Sequence, residues 1–199
     1  MRIAITAFMS LDGVVQAPGG PDEDTDGGFA HGGWTHPYFD EEVVGGAFDE
    51  ALGKAQALLF GRRTWQVMAA AWPERAGDPF ADRMNAIPKY VVSTTLGDHE
   101  LTWQNTTLIP GDEAVARLRE LRAAEGGDLL VMGSSALART LLREDMVDEL
   151  RLMLMPVILG GGKTIFPGDG ARRGFQLVST VTSAKGVQVC TFRPAGRSE

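Results

Sequence analysis

Ala57-Leu58-Leu59-Phe60-Gly61-Arg62-Arg63-Thr64 and Asp128-Leu129-Leu130-Val131-Met132-Gly133-Ser134-Ser135 are the two stretches whose reading decides the fold. In each, an apolar run of strand length stops at a glycine and a helical pattern follows at once. The first helix is predicted to run to about Ala71, where Trp72-Pro73 stops it, and the second to span residues 136–143. Glycine at such a junction permits close backbone approach. The opening turn of a helix leaves backbone N–H groups unpaired and carries partial positive charge, so phosphate is the natural ligand. Arg62 and Arg63 add charge beside the first turn, and Thr64, Ser134 and Ser135 add hydroxyls that can bond phosphate oxygens. One such turn reads equally well as an ordinary helix cap. Two of them at strand ends fit the crevice where open α/β sheets bind ligands.

Working outward, residues 2–9 carry Ile3, Ile5, Ala7 and Met9 on one side and Ala4, Thr6 and Phe8 on the other, the pattern of a central strand covered on both faces. Ser10-Leu11-Asp12-Gly13 ends it. Residues 16–37 are rich in Gly, Asp and Pro without periodicity, and a loop of that length suits a cover over a site. Residues 41–56 have helical spacing, with Asp40 placed to cap the first turn. Further strands are predicted at 90–93 and 150–159, and a helix capped by Asp112 carries Val115, Leu118 and Leu121 inward. Residues 175–183 and 187–193 form a hairpin around Lys185-Gly186. The alternation of strands and helices predicts an α/β fold whose mixed, mainly parallel sheet ends in antiparallel carboxyl-terminal strands. No repeat or linker divides residues 1–199, so one domain is expected.

Composition narrows the functions. The 199 residues are 44% hydrophobic and 23% charged, with a formal net charge of -7. That charge disfavours broad binding to nucleic-acid phosphates, which needs a basic face. The longest apolar segment, 150–159, contains Arg151 and Pro156 and is too short to span a bilayer. Cys190 stands alone, so no internal disulfide forms. The first residues enter a strand pattern without a signal-like stretch, which points to the cytoplasm.

Other phosphate motifs fail on inspection. No Gly-x-Gly-x-x-Gly occurs. Gly160-Gly161-Gly162-Lys163-Thr164 lacks the earlier glycine of a nucleotide-triphosphate loop, having Val157 there, and Ile165-Phe166-Pro167-Gly168 does not begin a helix. His31, His36 and His99 match no common metal spacing, so no metal site is expected. Trp34, Trp65, Trp72 and Trp103 suit either a flat pocket or core packing.

The ordered set Ser10-Leu11-Asp12-Gly13, Phe60-Gly61-Arg62-Arg63-Thr64-Trp65, Lys89-Tyr90-Val91-Val92-Ser93, Val131-Met132-Gly133-Ser134-Ser135 and the block from Asp148-Glu149-Leu150-Arg151-Leu152 through Pro156-Val157-Ile158-Leu159-Gly160-Gly161-Gly162 resembles the dihydrofolate-reductase-like family. The last block is similar to the reductase domain of bacterial riboflavin biosynthesis. The resemblance covers roughly the whole chain and implies a three-layer α/β/α fold. It implies a cofactor cleft in which Gly61, Arg62, Thr64, Ser93 and Thr94 surround the adenosine half and its phosphates, while Gly133, Ser134 and Ser135 hold the pyrophosphate. The serine, threonine and arginines favour NADPH over NADH. Dihydrofolate reductases usually carry Gly-Gly where this chain has Gly133-Ser134. The zinc-deaminase motif of the bifunctional riboflavin enzyme is absent.

The resemblance further implies a stand-alone NADPH-dependent reductase, similar to 5-amino-6-(5-phosphoribosylamino)uracil reductase, moving hydride to an imine-like carbon of a pterin- or aminopyrimidine-like heterocycle. Asp40 falls near the family's substrate-binding carboxylate and Asp12 follows the first strand, so both are candidate catalytic residues. Their plain readings are a helix cap and a turn. The related riboflavin reductases associate, so a homodimer is expected. The competing function is an NADP(H)-binding or ligand-sensing protein that kept the fold without the reaction.

Overall fold

The two quoted strands lie side by side in the computed structural model, which describes residues 1–196; the last three positions of the expected 1–199 domain lie outside it. In chain order the elements are β1 (Arg2–Ser10), α1 (Gly46–Lys54), β2 (Ala55–Gly61), α2 (Arg62–Ala71), α3 (Pro79–Ala86) and β3 (Lys89–Ser93). There follow β4 (Thr106–Pro110), α4 (Ala114–Ala123), β5 (Asp128–Met132), α5 (Ser135–Arg143), β6 (Glu149–Met155), β7 (Phe175–Thr182) and β8 (Gln188–Pro194).

One eight-stranded sheet runs β4-β3-β2-β5-β1-β6-β8-β7. The pairs from β4 to β6 are parallel, and β8 runs antiparallel to both β6 and β7. β1 sits between β5 and β6, as its two apolar faces require. Ile3, Ile5, Ala7 and Met9 pack with Leu118 of α4 and Leu137, Ala138 and Leu141 of α5. Ala4 faces the opposite layer, with Leu52 of α1, Trp65 of α2 and Met84 of α3. Helices thus cover both faces of the sheet, which is the α/β/α arrangement. The chain steps outward from β1 through β2 to β4, then returns to insert β5 beside β1. That reversal opens a crevice at the carboxyl ends of β1, β2 and β5.

Several elements differ from the sequence reading. α3 and β4 were not expected. α3 begins at Pro79 behind Asp78, whose carboxylate accepts from the N–H groups of Phe80 and Ala81. The helix expected over 41–56 is a π-helical turn (Glu41–Gly45) followed by α1, and the chain is already extended at Ala55. Asp112 does not cap α4; Glu113 stands at that position and makes no side-chain cap bond. β6 ends at Met155 because Pro156 has no N–H for the ladder. Beyond it, the Val157 carbonyl accepts from Leu11 N–H at 2.8 Å, tying the segment to the turn after β1.

Candidate functional site

At those strand ends lies a cleft of about 1120 Å³. Its floor is Thr6, Ala7 and Phe8 of β1. One wall is Gly45, Phe48 and Asp49 from the first helical segment, and the other is Thr64, Val67, Met68, Ala71 and Trp72 of α2. Met132, Gly133, Ser134 and Ser135 close one end, while Gln16 to Asp24, Thr35 and His36 from the long loop lie along the rim.

The end facing the two glycine turns has the chemistry to accept an anion. α2 starts behind Gly61 and α5 behind Ser134, and neither has a side-chain cap, so both opening turns keep N–H groups for a ligand. Ser134 instead turns its hydroxyl across to the neighbouring strand end, where it accepts the Gly61 N–H at 2.9 Å. To do so it adopts φ 63°, directly after Gly133 at φ 72°. A left-handed non-glycine residue is sparsely populated and marks a backbone held by its surroundings.

The opposite end is aromatic. The Phe8 and Phe48 rings meet at 5.1 Å, and Phe39, Trp72 and Phe80 line the same space. The Arg75 guanidinium lies 5.0 Å from the Trp72 ring centre and also faces the cleft. Two carboxylates face it from the α1 side, Glu41 and Asp49, the latter 3.4 Å from Arg83.

The loop over 16–37 is ordered by its own polar groups. Trp34 Nε1 donates to the Gln16 carbonyl at 2.8 Å, and Thr35 Oγ1 donates to the Pro18 carbonyl at 2.7 Å. Glu23 accepts from the Gly19 and Gly20 N–H groups at 2.6 and 3.1 Å, while burial pushes its carboxyl up from its ordinary value.

Of the residues singled out from sequence, Thr64, Gly133, Ser134 and Ser135 line the cleft. Gly61 stands one bond behind them, held by Ser134. Arg62, Ser93 and Thr94 do not contribute to the wall. Ser93 Oγ is occupied by the N–H groups of Thr95 and Leu96. Arg63, rather than Arg62, points a cation at the cleft. Asp12 and Asp40 are also off the wall. Asp12 accepts from Ser10 Oγ at 2.6 Å and from the N–H groups of Leu159 and Gly160, which hold its carboxyl below the usual range. Asp40 accepts Val43 N–H at 2.8 Å and is a helix cap. Neither Glu41 nor Asp49 is among the candidate catalytic residues read from sequence. Their spacing of eight on one helical face was the available signal. Of the four tryptophans, Trp72 lines the cleft and Trp34, Trp65 and Trp103 are buried in the core. Among the described residues no cluster of His, Cys, Asp or Glu is placed to hold a metal, and no helix is long and apolar enough to cross a membrane.

Comparison with known proteins joins this geometry to a family. The family described as the RibD C-terminal domain matches residues 2–189. The chain belongs to the RibD C-terminal domain family. The uncharacterized protein YyaP of Bacillus subtilis (strain 168) is 27% identical over 145 residues, 70% of this chain and 74% of that protein. A Shewanella sp. PV-4 protein named for riboflavin biosynthesis superposes with a TM-score of 0.74 at 19% identity, over 98% of this chain and 99% of that one. A pyrimidine reductase-like protein of Corynebacterium diphtheriae gives 0.64 at 14%, over 98% and 92%. Dihydrofolate reductase of Enterococcus faecalis, complexed with NADP(H), gives 0.59 at 14%, over 97% and 96%. These likenesses establish that this RibD C-terminal domain chain has the dihydrofolate-reductase-like fold.

Proposed function

We propose that this chain is a cytoplasmic NADPH-dependent reductase of a pterin- or aminopyrimidine-like heterocycle, acting as one domain over residues 1–199. The observation that carries the reading is the pair of uncapped helix N-termini, α2 and α5, set at adjacent strand ends and opening on one cleft with an aromatic far end. The cleft suits a dinucleotide in size and in the order of its surfaces. NADPH bound there supplies the hydride.

Around it, the N–H groups of the two opening turns, with Thr64, Ser134 and Ser135, bind the phosphates. Arg62 has no hydrogen-bond or ion-pair partner among the described residues and lies beside Arg63 at the turn, available to an extended adenosine end with its 2′-phosphate. Thr6, Ala7 and Phe8, on the cleft floor, would support the reacting ring, and Phe48, Trp72 and Phe80 would stack on and orient a flat substrate while excluding water. Glu41 and Asp49 are the carboxylates positioned to hold a proton for a substrate nitrogen; Asp12 and Asp40 serve the loop and the helix cap. The names of the Shewanella and Corynebacterium proteins agree with a substrate of this class.

A homodimer is part of the proposal. β7 is an open edge strand on which Leu177, Val178 and Val181 stand about half exposed, and an apolar edge of this kind favours pairing with a second copy.

Thermal melting with NADPH and with NADH tests the cofactor, because a ligand that binds only the folded chain raises the melting temperature. NADPH must give the larger shift; no shift with either cofactor overturns the reading. NADPH oxidation across a panel of pterins and aminopyrimidines then separates a reductase from a binding protein that lacks the reaction.

A further inference from the structure

The glycine run before Lys163 serves a purpose that the phosphate turns do not explain. Gly162 adopts φ 142°, and a Cβ there would meet Val14 at 2.6 Å and the Phe29 ring at 3.1 Å, so only glycine lets this segment lie against the strap formed by residues 16–37. Lys163 is then pinned by its backbone: its N–H donates to Gln16 Oε1 at 3.0 Å and its carbonyl accepts from Val15 N–H at 2.9 Å.

Its side chain enters the cleft wall and meets two strap carboxylates. Nζ stands 2.5 and 2.8 Å from the two oxygens of Asp24 and 2.9 Å from Asp26. Arg63, in the opening turn of α2, contacts Asp26 and comes within 3.8 Å of Asp24. Arg63, Lys163 and Asp24 all line the cleft, beside Thr64. Two cations from distant segments therefore converge next to an uncapped helix N-terminus, and two carboxylates of the strap occupy them.

We propose that Arg63 and Lys163 form a phosphate subsite of the cleft, for which Asp24 and Asp26 act as internal stand-ins. The carboxylate oxygens hold the positions on the two cations that phosphate oxygens take. A phosphate dianion carries the same charge as the pair it replaces, and it gains the free N–H groups of α2 that the carboxylates do not use. The ion pairs are partly exposed, so each is weak and readily exchanged. Binding of a phosphate-bearing ligand and closure of the strap thus compete for the same cations. The identity of that ligand as a dinucleotide rests on the function proposed above; the subsite does not.

The opposite arrangement, a latch that stays shut over a bound ligand, gives the opposite sign on neutralising the carboxylates. Calorimetric titration with inorganic pyrophosphate and with NADPH decides between them, using the wild type, Asp24→Asn/Asp26→Asn and Arg63→Gln/Lys163→Gln. Glu74→Gln/Glu125→Gln, which removes the same charge away from the cleft wall and the strap, controls for net charge. Pyrophosphate is expected to bind Asp24→Asn/Asp26→Asn about tenfold tighter than wild type, the scale of releasing two exposed ion pairs. It is expected to bind the charge control within about twofold of wild type, on the same scale, and to lose binding in Arg63→Gln/Lys163→Gln. Hydrogen exchange of the strap amides in wild type should quicken when pyrophosphate is added.

Unchanged or weaker pyrophosphate binding in Asp24→Asn/Asp26→Asn overturns the subsite, as does an equal gain in the charge control. If pyrophosphate behaves as expected and NADPH binds no form, the subsite stands and the dinucleotide reading falls. If NADPH binds wild type and Asp24→Asn/Asp26→Asn alike and pyrophosphate shows no gain, the dinucleotide reading stands and the subsite falls.

Discussion

Ser134 accepts the backbone N–H of Gly61 through its hydroxyl at 2.9 Å, joining the ends of β2 and β5 across 73 positions of sequence. The bond occupies the Gly61 donor and leaves the opening turn of α2 without a side-chain cap. Ser134→Ala leaves a partly buried donor unpaired and should cost about 1–3 kcal/mol of stability in urea unfolding. Ser134→Gly loses the same bond but relieves the left-handed backbone, so it should be the less damaging of the two. Little loss of stability in either variant would show that the hydroxyl bond is not the tie between the turns.

The two junction glycines are expected to differ. At Gly61 a new Cβ meets Ser134 and Leu137 at 3.6–3.8 Å, ordinary contact, and its φ of -80° suits any residue. Gly61→Ala should therefore stay within about 0.5 kcal/mol of wild type. Gly133→Ala must hold alanine at φ 72° and should lose about 1 kcal/mol or more. Equal melting temperatures for the two variants would contradict this account.

Lys89 gives the protein an alkaline signature. Its ammonium is buried, donates to the carbonyls of Asn85, Ile87 and Gln104, and lies 4.5 Å from the Trp103 ring centre, with no carboxylate partner among the described residues. Burial pushes it down to about 8 from the ordinary 10.5. Between those values the unfolded chain binds more protons, so stability rises with pH through this window, and the cost of the buried charge is fully present below pH 8. Urea titrations at intervals from pH 7.5 to about 10 should show the rise in wild type and its loss in Lys89→Met. A slope unchanged by the substitution would assign the effect to another group.

The proton source is tested by sorting carboxylates. If Glu41 or Asp49 holds the proton, Glu41→Gln or Asp49→Asn should lower kcat by about 100-fold or more while leaving NADPH binding intact. Asp40→Asn should instead lower stability by about 1 kcal/mol or less, as for a weakened cap, with kcat retained. Loss of kcat in Asp12→Asn or Asp40→Asn at an unchanged melting temperature would return the role to those residues.

Edge strand β7 supplies the last prediction. Wild type should sediment as a dimer, and Leu177→Lys/Val181→Lys as a folded monomer, because charge on an open strand edge blocks pairing. A monomeric wild type at micromolar concentration would remove the homodimer.

The sequence revealed local features directly. The glycine junctions, the two-faced apolar pattern of β1 and the carboxyl-terminal hairpin each depend on a few consecutive residues, and the structure contains all of them. β4 escaped notice because Thr106–Pro110 is a short edge strand ending in proline, and α3 because eight residues, Pro79–Ala86, are too few to show a clear helical period. Asp12 and Asp40 could be placed near a cleft from their positions, yet not aimed into it, since their orientation is set by which N–H groups capture them.

By itself, then, the sequence determined the strand–helix alternation, the two glycine turns at strand ends and the antiparallel carboxyl-terminal hairpin, because these are written in spacing along the chain. Only the tertiary structure decided that Arg63 rather than Arg62 faces the cleft, that Ser134 binds Gly61, and that Lys163 meets Asp24 from 139 positions away. Those contacts follow from the return of β5 between β2 and β1 and from the packing of a glycine run against a distant loop, and neither leaves a local pattern to read.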